Sequence, residues 1–333
     1  MNLKKKIENA RKSVFKKAEQ VQGVKIQGPD FNKELSTEEI LNSYEGIGFQ
    51  ASNLAKAIKL VKKMREEKAT IFLAYTSGMI SSGIRDIIRY LVQNKFVDVL
   101  ITTTGGLEED LIKCLKPFVL GKFDEPGKTL REKGVNRIGN IFVPNDRYVM
   151  YEDWINPKLA ELLKMQRSGA NITMSKIVSF LGEEINNPES VYYWASKNKI
   201  PVFLPAPLDG STGDMVYFFK QSNPEFKIDV TDDLKKLIDI AINAEKTGMI
   251  ILGAGIIKHA VCNANLFRDG ADYAVYINAA QEFDGSDSGA TPEEAISWGK
   301  IKGNKDNYVK VYSDATLVFP LIVASAFNKS SKK

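Results

Sequence analysis

From residue 69 onward, short apolar runs recur at 70–74, 97–101, 202–204, 249–252, 273–277 and 309–312. Such runs predict strands buried on both faces of a sheet. Helical periodicity fills the stretches between them, at 84–93, 107–115, 190–197, 231–244 and 315–327. This alternation predicts an α/β fold with a mostly parallel sheet and helices on both faces. Residues 117–188 read as loops and further helices that elaborate the same domain. Before residue 36 the pattern differs. Residues 1–20 are lysine-rich, with Leu3, Ile7, Val14 and Phe15 on one side of a helix. That side suits a docking arm, and a solvated helix is the simpler reading. Gly28-Pro29 breaks a linker at 23–35, and Ser36-Thr37-Glu38-Glu39 has the form of a capping box. The expected organisation is a helical arm and linker at 1–35, then one catalytic domain at 36–333.

Composition narrows the function classes. With 44% hydrophobic and 26% charged residues in 333, the chain has an ordinary globular balance and length enough for a large core. A net charge of +5 is too mild to suggest nucleic acid. The apolar stretch at 317–324 contains Pro320 and falls short of the ~18 residues of a membrane span. The lysine-rich start lacks the apolar core of a secretory signal. Only two cysteines occur, Cys114 and Cys262, far apart in sequence; they fit no disulfide framework or zinc pattern, so a reducing cytoplasm is the expectation.

One formal dinucleotide fingerprint occurs, Gly46-Ile47-Gly48-Phe49-Gln50-Ala51. A capped helix precedes it where a strand is needed, so these glycines predict a turn between helices. Stronger candidates follow predicted strands: the Thr76–Gly83 segment, Thr102-Thr103-Thr104-Gly105-Gly106, and Gly253-Ala254-Gly255. Small residues there let backbone approach a phosphate-bearing ligand at helix N-termini. The run Gln281-Glu282-Phe283-Asp284-Gly285-Ser286-Asp287-Ser288-Gly289 does not fit a calcium loop. Followed by Glu294, Trp298 and Lys300, it suits a ligand with several positive charges, by ion pairing and cation–π contact. Asp209-Gly210-Ser211-Thr212-Gly213-Asp214 repeats this chemistry. His259, the chain's single histidine, lies just past a glycine-rich strand end, in reach of proton transfer. Lys300 follows Trp298-Gly299, where a close-packed apolar setting favours a nucleophilic amine. Without further information these residues describe a nucleotide-binding α/β protein with an acidic, amine-binding pocket.

The chain resembles the deoxyhypusine synthase family from about Gly46 to Phe327. The resemblance is carried by Tyr75-Thr76-Ser77, Ile80-Ser81-Ser82-Gly83-Ile84-Arg85, Thr103-Thr104-Gly105-Gly106-Leu107-Glu108-Glu109-Asp110, Glu184-Ile185-Asn186-Asn187-Pro188-Glu189-Ser190, and the run from Gly270 to Ile301. It implies a doubly wound, Rossmann-like NAD-binding fold and a homotetramer of two tight dimers with sites at the dimer interface. It implies transfer of the aminobutyl group of spermidine through an imine on Lys300 to a lysine of the translation initiation factor 5A precursor, releasing 1,3-diaminopropane. The family's spermidine contacts carry over to Asp214, His259, Asn263, Tyr276, Asp287, Glu294 and Trp298. Its NAD contacts carry over to Ser77, Ser81, Thr103, Glu109, Asp209, Ala279, Ala280, Asp284 and Asp314. Two positions depart from the pattern: Gly78 stands where many relatives have asparagine, and Ala254 interrupts a glycine triplet.

Three other readings share parts of this pattern. Homospermidine synthases have the same fold and transfer the same group to putrescine. A non-catalytic regulatory paralogue would be expected to lack some of Lys300, His259 or the acids, all of which are present. NAD-consuming deacylases have a related fold but usually a four-cysteine zinc module, which two cysteines cannot supply.

Overall fold

The computed structural model describes residues 3–327. Among these residues nine strands form two sheets: β1 (Thr70–Tyr75), β2 (Val99–Thr102), β3 (Val119–Leu120), β4 (Val135–Ile138), β5 (Ile141–Pro144), β6 (Val202–Phe203), β7 (Thr247–Leu252), β8 (Tyr273–Asn278) and β9 (Tyr308–Tyr312). The large sheet runs β6-β2-β1-β7-β8-β9 with every neighbour parallel. The chain builds outward from β1 in one direction and then, from β7, in the other. All six apolar runs become these six strands, with ends shifted by no more than two residues.

Strand alternation divides the core. Leu73 and Tyr75 of β1 join the cluster under the Phe49–Glu66, Ile84–Gln93 and Ala315–Ala326 helices. Phe72 and Ala74 face the other way, onto the cluster that includes Leu237, Ile257 and Val261 from the Thr231–Asn243 and Ile256–Leu266 helices. The sheet is therefore covered on both faces.

The 117–188 segment differs from expectation. Besides helices it contains a small antiparallel sheet, β3-β5-β4. Ile138 pairs with Ile141 across the two-residue turn Gly139-Asn140, with Gly139 at φ +57°. The Gly46–Gly48 fingerprint match is a turn between helices, as its context predicts: a 3-10 turn at Tyr44–Gly46 leads to Gly48, which caps the Phe49–Glu66 helix at φ +96°. The capping box forms, with Ser36 and Glu39 bonding each other's backbone amides. The arm is helical over Leu3–Val14, yet none of its side chains is buried, and Leu3, Ile7, Val14 and Phe15 are all exposed.

Three of the quoted sequence blocks meet in a buried network that builds the fold. Arg85 Nε donates to Asp110 Oδ1 at 2.7 Å, and the Ser190 hydroxyl donates to Asp110 Oδ2 at 2.5 Å. The Val191 amide adds a third bond to that carboxylate. Arg85 and Asp110 are both buried, so each depends on the other for its charge.

Candidate functional site

Because the strands of the large sheet are parallel, their carboxyl ends share one edge. Strand order reverses between β1 and β7, the place where open α/β sheets bind ligands. The turns that meet there are tightly packed. A Cβ on Gly105 would lie 2.9 Å from the Ser77 Cβ, and one on Gly253 would lie 2.8 Å from the Thr76 side chain. Gly253 and Gly255 take φ of +85° and +69°, which glycine adopts without strain. Ala254 between them is not in that region, so its methyl brings no strain. A side chain at Gly78 would enter open space.

Four of the residues expected to bind the cofactor form one patch here. The Ser81 hydroxyl donates to Glu109, and Ser77 packs against Gly105 beside Glu109. The Thr103 hydroxyl is buried without a hydrogen-bond partner among the described residues. Lys113 closes the Ser77–Ser81 helix by donating to the carbonyls of Ile80, Ser81 and Ser82 at 2.9–3.1 Å. Burial pushes the Glu109 carboxyl up to about 7; the Ser81 bond opposes this, neighbouring Glu108 adds to it, and Lys113 opposes it. Glu108 has a structural task, accepting the Ser211 and Thr212 amides that open the Ser211–Ser222 helix.

The other five lie along the same edge. Asp209 is exposed on the loop after β6. Ala279 and Ala280 follow β8, and Asp284 accepts from the Ser286 amide at 2.7 Å. Asp314 follows β9 and caps the Ala315–Ala326 helix through Thr316. No direct bond joins these five to the Ser81–Glu109 patch.

Beside this edge, on the face of the second core cluster, opens a cavity of about 630 Å³. The Ile256–Leu266 helix presents His259, Cys262 and Asn263 to it, at the spacing of one helical face. Tyr276 comes from β8, Asp287 from the acidic loop, and Glu294, Trp298 and Lys300 from around the Pro292–Ser297 helix. Six of the seven expected amine contacts therefore share one cavity with Lys300. Asp214 does not: it is exposed in the first turn of the Ser211–Ser222 helix and absent from the lining.

Backbone geometry explains how Lys300 is held. The Gly299 amide donates to Ile296 O and the Lys300 amide to Ala295 O, both at 2.9 Å, with Gly299 at φ +73°. This pairing ends the helix on a left-handed glycine. The Lys300 carbonyl accepts from Ala271, fixing its other side. Its Nζ lies 5.5 Å from the Trp298 ring centroid. The expected close-packed setting is only half formed within one chain, since Trp298 is 64% exposed.

His259 Nδ1 lies 3.4 Å from Asp287 Oδ1. The same oxygen is 3.6 Å from Nζ of Lys258, a buried lysine that sequence reasoning missed. Cys262 was missed too; its Sγ lies 3.1 Å from the Tyr276 hydroxyl. Burial pushes the Cys262 thiol up to about 11 and the Tyr276 phenol well above its ordinary value, so this wall is neutral at physiological pH. The signal for Lys258 was present: it is a lysine on an otherwise apolar stretch, Ile256-Ile257-Lys258. A second, largely apolar cavity of about 500 Å³ adjoins the first, sharing His259, Asn263 and Phe267 with it. Among the described residues no helix is long and apolar enough to cross a membrane.

Comparison with known proteins identifies the family. Residues 39–326 match the family model described as deoxyhypusine synthase. A protein of that name from Senecio vernalis is 52% identical, over 96% of this chain and 94% of its own length. One from Arabidopsis thaliana is 51% identical, over 95% of this chain and 94% of its own. A crystal structure from Entamoeba histolytica, of a chain ascribed to the same family, superposes with a TM-score of 0.67 at 33% identity. It covers 91% of this chain and 96% of that one.

Proposed function

The chain belongs to the deoxyhypusine synthase family, and from that premise we propose how its own residues carry out the family's reaction. The activity is transfer of the aminobutyl group of spermidine to a lysine of the translation initiation factor 5A precursor. The observation that carries the residue assignment is the cavity that gathers carboxylates, an indole, an imidazole and Lys300.

Asp287 and Glu294 pair with the ammonium groups of spermidine, and Trp298 lies against its methylenes. Asp287 keeps a proton on His259 Nδ1, which leaves Nε2 free to take the proton of the secondary amine. Tyr276 stays neutral and offers a hydrogen bond without competing for the cation. Once spermidine is oxidised at the carbon beside its secondary amine, Lys300 attacks the resulting imine. The carbon–nitrogen bond to 1,3-diaminopropane breaks, and an imine on Lys300 remains. The acceptor lysine displaces Lys300 in the same manner, and reduction of the new imine completes the transfer.

NAD fits the patch at the sheet's reversal, where it would supply the hydride acceptor and then return the hydride. The unpartnered Thr103 hydroxyl and the glycine turns at 105 and 253 support that fit. Ser77, Ser81 and Thr103 would bond its polar groups. Glu109 and Asp284 would accept ribose hydroxyls. The strand order gives the sheet its Rossmann-like character in this reading.

The assembly proposed is a homotetramer of two dimers, with each site at a dimer interface. Asp214, outside its own chain's cavity, would complete a neighbour's. The exposed Trp298 and Phe267 at the rim would be covered by that neighbour. The protein would act in the reducing cytoplasm, since both its cysteines are free thiols.

The test is incubation with NAD and labelled spermidine, offered either the factor precursor or putrescine. Label in the precursor supports the proposal. Label found only in homospermidine assigns the site to the putrescine reaction instead.

A further inference from the structure

The acidic loop between β8 and the Pro292–Ser297 helix is held at its stem by a residue to which the reaction gives no role. Lys310 lies on β9 and is 6% exposed. Its Nζ donates to Ala280 O and to Gly289 O, each at 2.8 Å. One ammonium thus bridges the two ends of the 280–289 loop. It also lies 4.3 Å from the Tyr312 ring centroid. Tyr312, two residues on and therefore on the same side of the strand, donates its hydroxyl to Glu282 at 2.8 Å. The backbone under both is fixed from outside: Asn53 donates to the Lys310 carbonyl, and Gln50 accepts from the Tyr312 amide.

The stem is closed as well as bridged. A Cβ on Gly289 would fall 1.8 Å from Gln281 O, so the two ends of the loop are in backbone contact. Within the loop, Asp284 accepts from the Ser286 amide and the Ser286 hydroxyl accepts from the Gly289 amide. By contrast, residues 281–287 are exposed. The loop is a compact unit with a stem closed by Lys310 and an exposed tip. That tip carries Asp284 and Asp287, separated by two residues and assigned above to different ligands.

We propose that Lys310 is a positioning residue that holds this loop as one unit, so that the cofactor carboxylate and the amine carboxylate are presented together. The proposal rests on the assignment of Asp284 to NAD and Asp287 to spermidine. A buried ammonium suits this task because it offers several donors at one point, where a hydroxyl offers one. Its two bonds to carbonyls are charge-assisted, and removing it leaves the buried Gly289 carbonyl and the half-buried Ala280 carbonyl without this donor.

The test uses the full-length assembled protein with Lys310→Met, which keeps the stem's bulk and removes the ammonium. The dissociation constant for NAD and the KM for spermidine should both rise, each about tenfold, the scale of one lost charge-assisted bond. The rate at saturation of both should change much less. Amide exchange should accelerate within 280–289 and not across the core strands. Asp284→Asn and Asp287→Asn serve as references, each expected to weaken its own ligand alone. If both references behave so while Lys310→Met leaves either ligand's affinity unchanged, the clamp is wrong. If neither reference weakens its ligand, the assignment of the carboxylates fails; the clamp then stands or falls on whether exchange at 280–289 accelerates. Where Lys310→Met does not fold, Tyr312→Phe removes only the bond to Glu282. It should accelerate the same exchange and weaken both ligands about threefold, and no change in either measure overturns the proposal.

Discussion

Replacing Glu109 by glutamine should make the cofactor-free protein more stable and its cofactor binding weaker. Glu109 is 7% exposed, and burial lifts its carboxyl from 4.5 to about 7. The unfolded chain loses this proton near 4.5, whereas the native chain keeps it to about 7. Between those values the native state binds more protons, so stability falls as pH rises through that window. Above it, the ionised carboxylate costs the native state about 3 kcal/mol. Glutamine carries no charge, and its carbonyl can still accept from Ser81. At pH 8 Glu109→Gln should therefore unfold a few degrees higher than the wild type, roughly 3–6 °C for that energy in a chain of this size. At pH 5 the two should nearly coincide. Cofactor affinity should show the opposite preference, since a ribose hydroxyl donates best to the ionised acid. NAD binding to the wild type should strengthen as pH rises through 7, and that rise should vanish in the variant. Thermal unfolding at the two pH values, with NAD titrations at each, checks both halves. A variant less stable than the wild type at pH 8, or a wild type that gains stability between pH 5 and 8 relative to it, would refute the reasoning.

Asp110→Ala should cost about 3–5 kcal/mol, because Arg85 would be left buried and unpaired; denaturant unfolding measures it, and a loss under 1 kcal/mol would show the pair to be solvent-rescued. His259→Ala should raise the spermidine KM and slow turnover without altering the melting temperature, since the ring is half exposed and touches Asp287 alone among the carboxylates; wild-type kinetics would make it incidental. Deleting residues 1–20 should leave subunit stability within ~0.5 kcal/mol, because no side chain of the Leu3–Val14 helix is buried. If the arm docks at a neighbour's site instead, acceptor kinetics will change more than NAD affinity, and identical kinetics leave the solvated helix standing.

What the sequence made legible follows from how strongly each feature depends on local pattern. The strands of the large sheet are buried on both faces, and their apolar runs announce them directly. The small sheet lacks that signal: β3 has two exposed residues, and β4 is only partly buried. Its one cue was Gly139-Asn140 between isoleucines, a hairpin turn that passed for loop. Strand-end glycines marked the tight turns at the edge proposed for ligand binding, because a turn packed that closely against another backbone needs them. Buried lysines were harder. Lys258 and Lys310 look like ordinary surface residues by type, and only their apolar neighbours, as in Val309-Lys310-Val311, hint that their charge is satisfied inside. The Arg85–Asp110–Ser190 network joins segments 25 and 80 residues from Asp110, a distance no local pattern reports. Asp214 could be recognised by resemblance alone: it is absent from its own chain's cavity, and its place in an amine site rests on the proposed assembly.

In the proposed mechanism everything turns on Lys300, which carries the aminobutyl group. The most direct measurement is borohydride trapping with NAD and labelled spermidine, followed by peptide mapping. The natural competitor is Lys258, which lines the same cavity but is 4% exposed and engaged by Asp287 and the Ala290 carbonyl. Lys300 is less buried, and its backbone is fixed at both its amide and its carbonyl. A single labelled adduct on Lys300 is expected. Lys300→Arg, whose guanidinium stays protonated, should bind NAD and spermidine yet form no adduct and modify no acceptor. An adduct on Lys258, or acceptor modification by Lys300→Arg at a rate near that of the wild type, would contradict this role for Lys300.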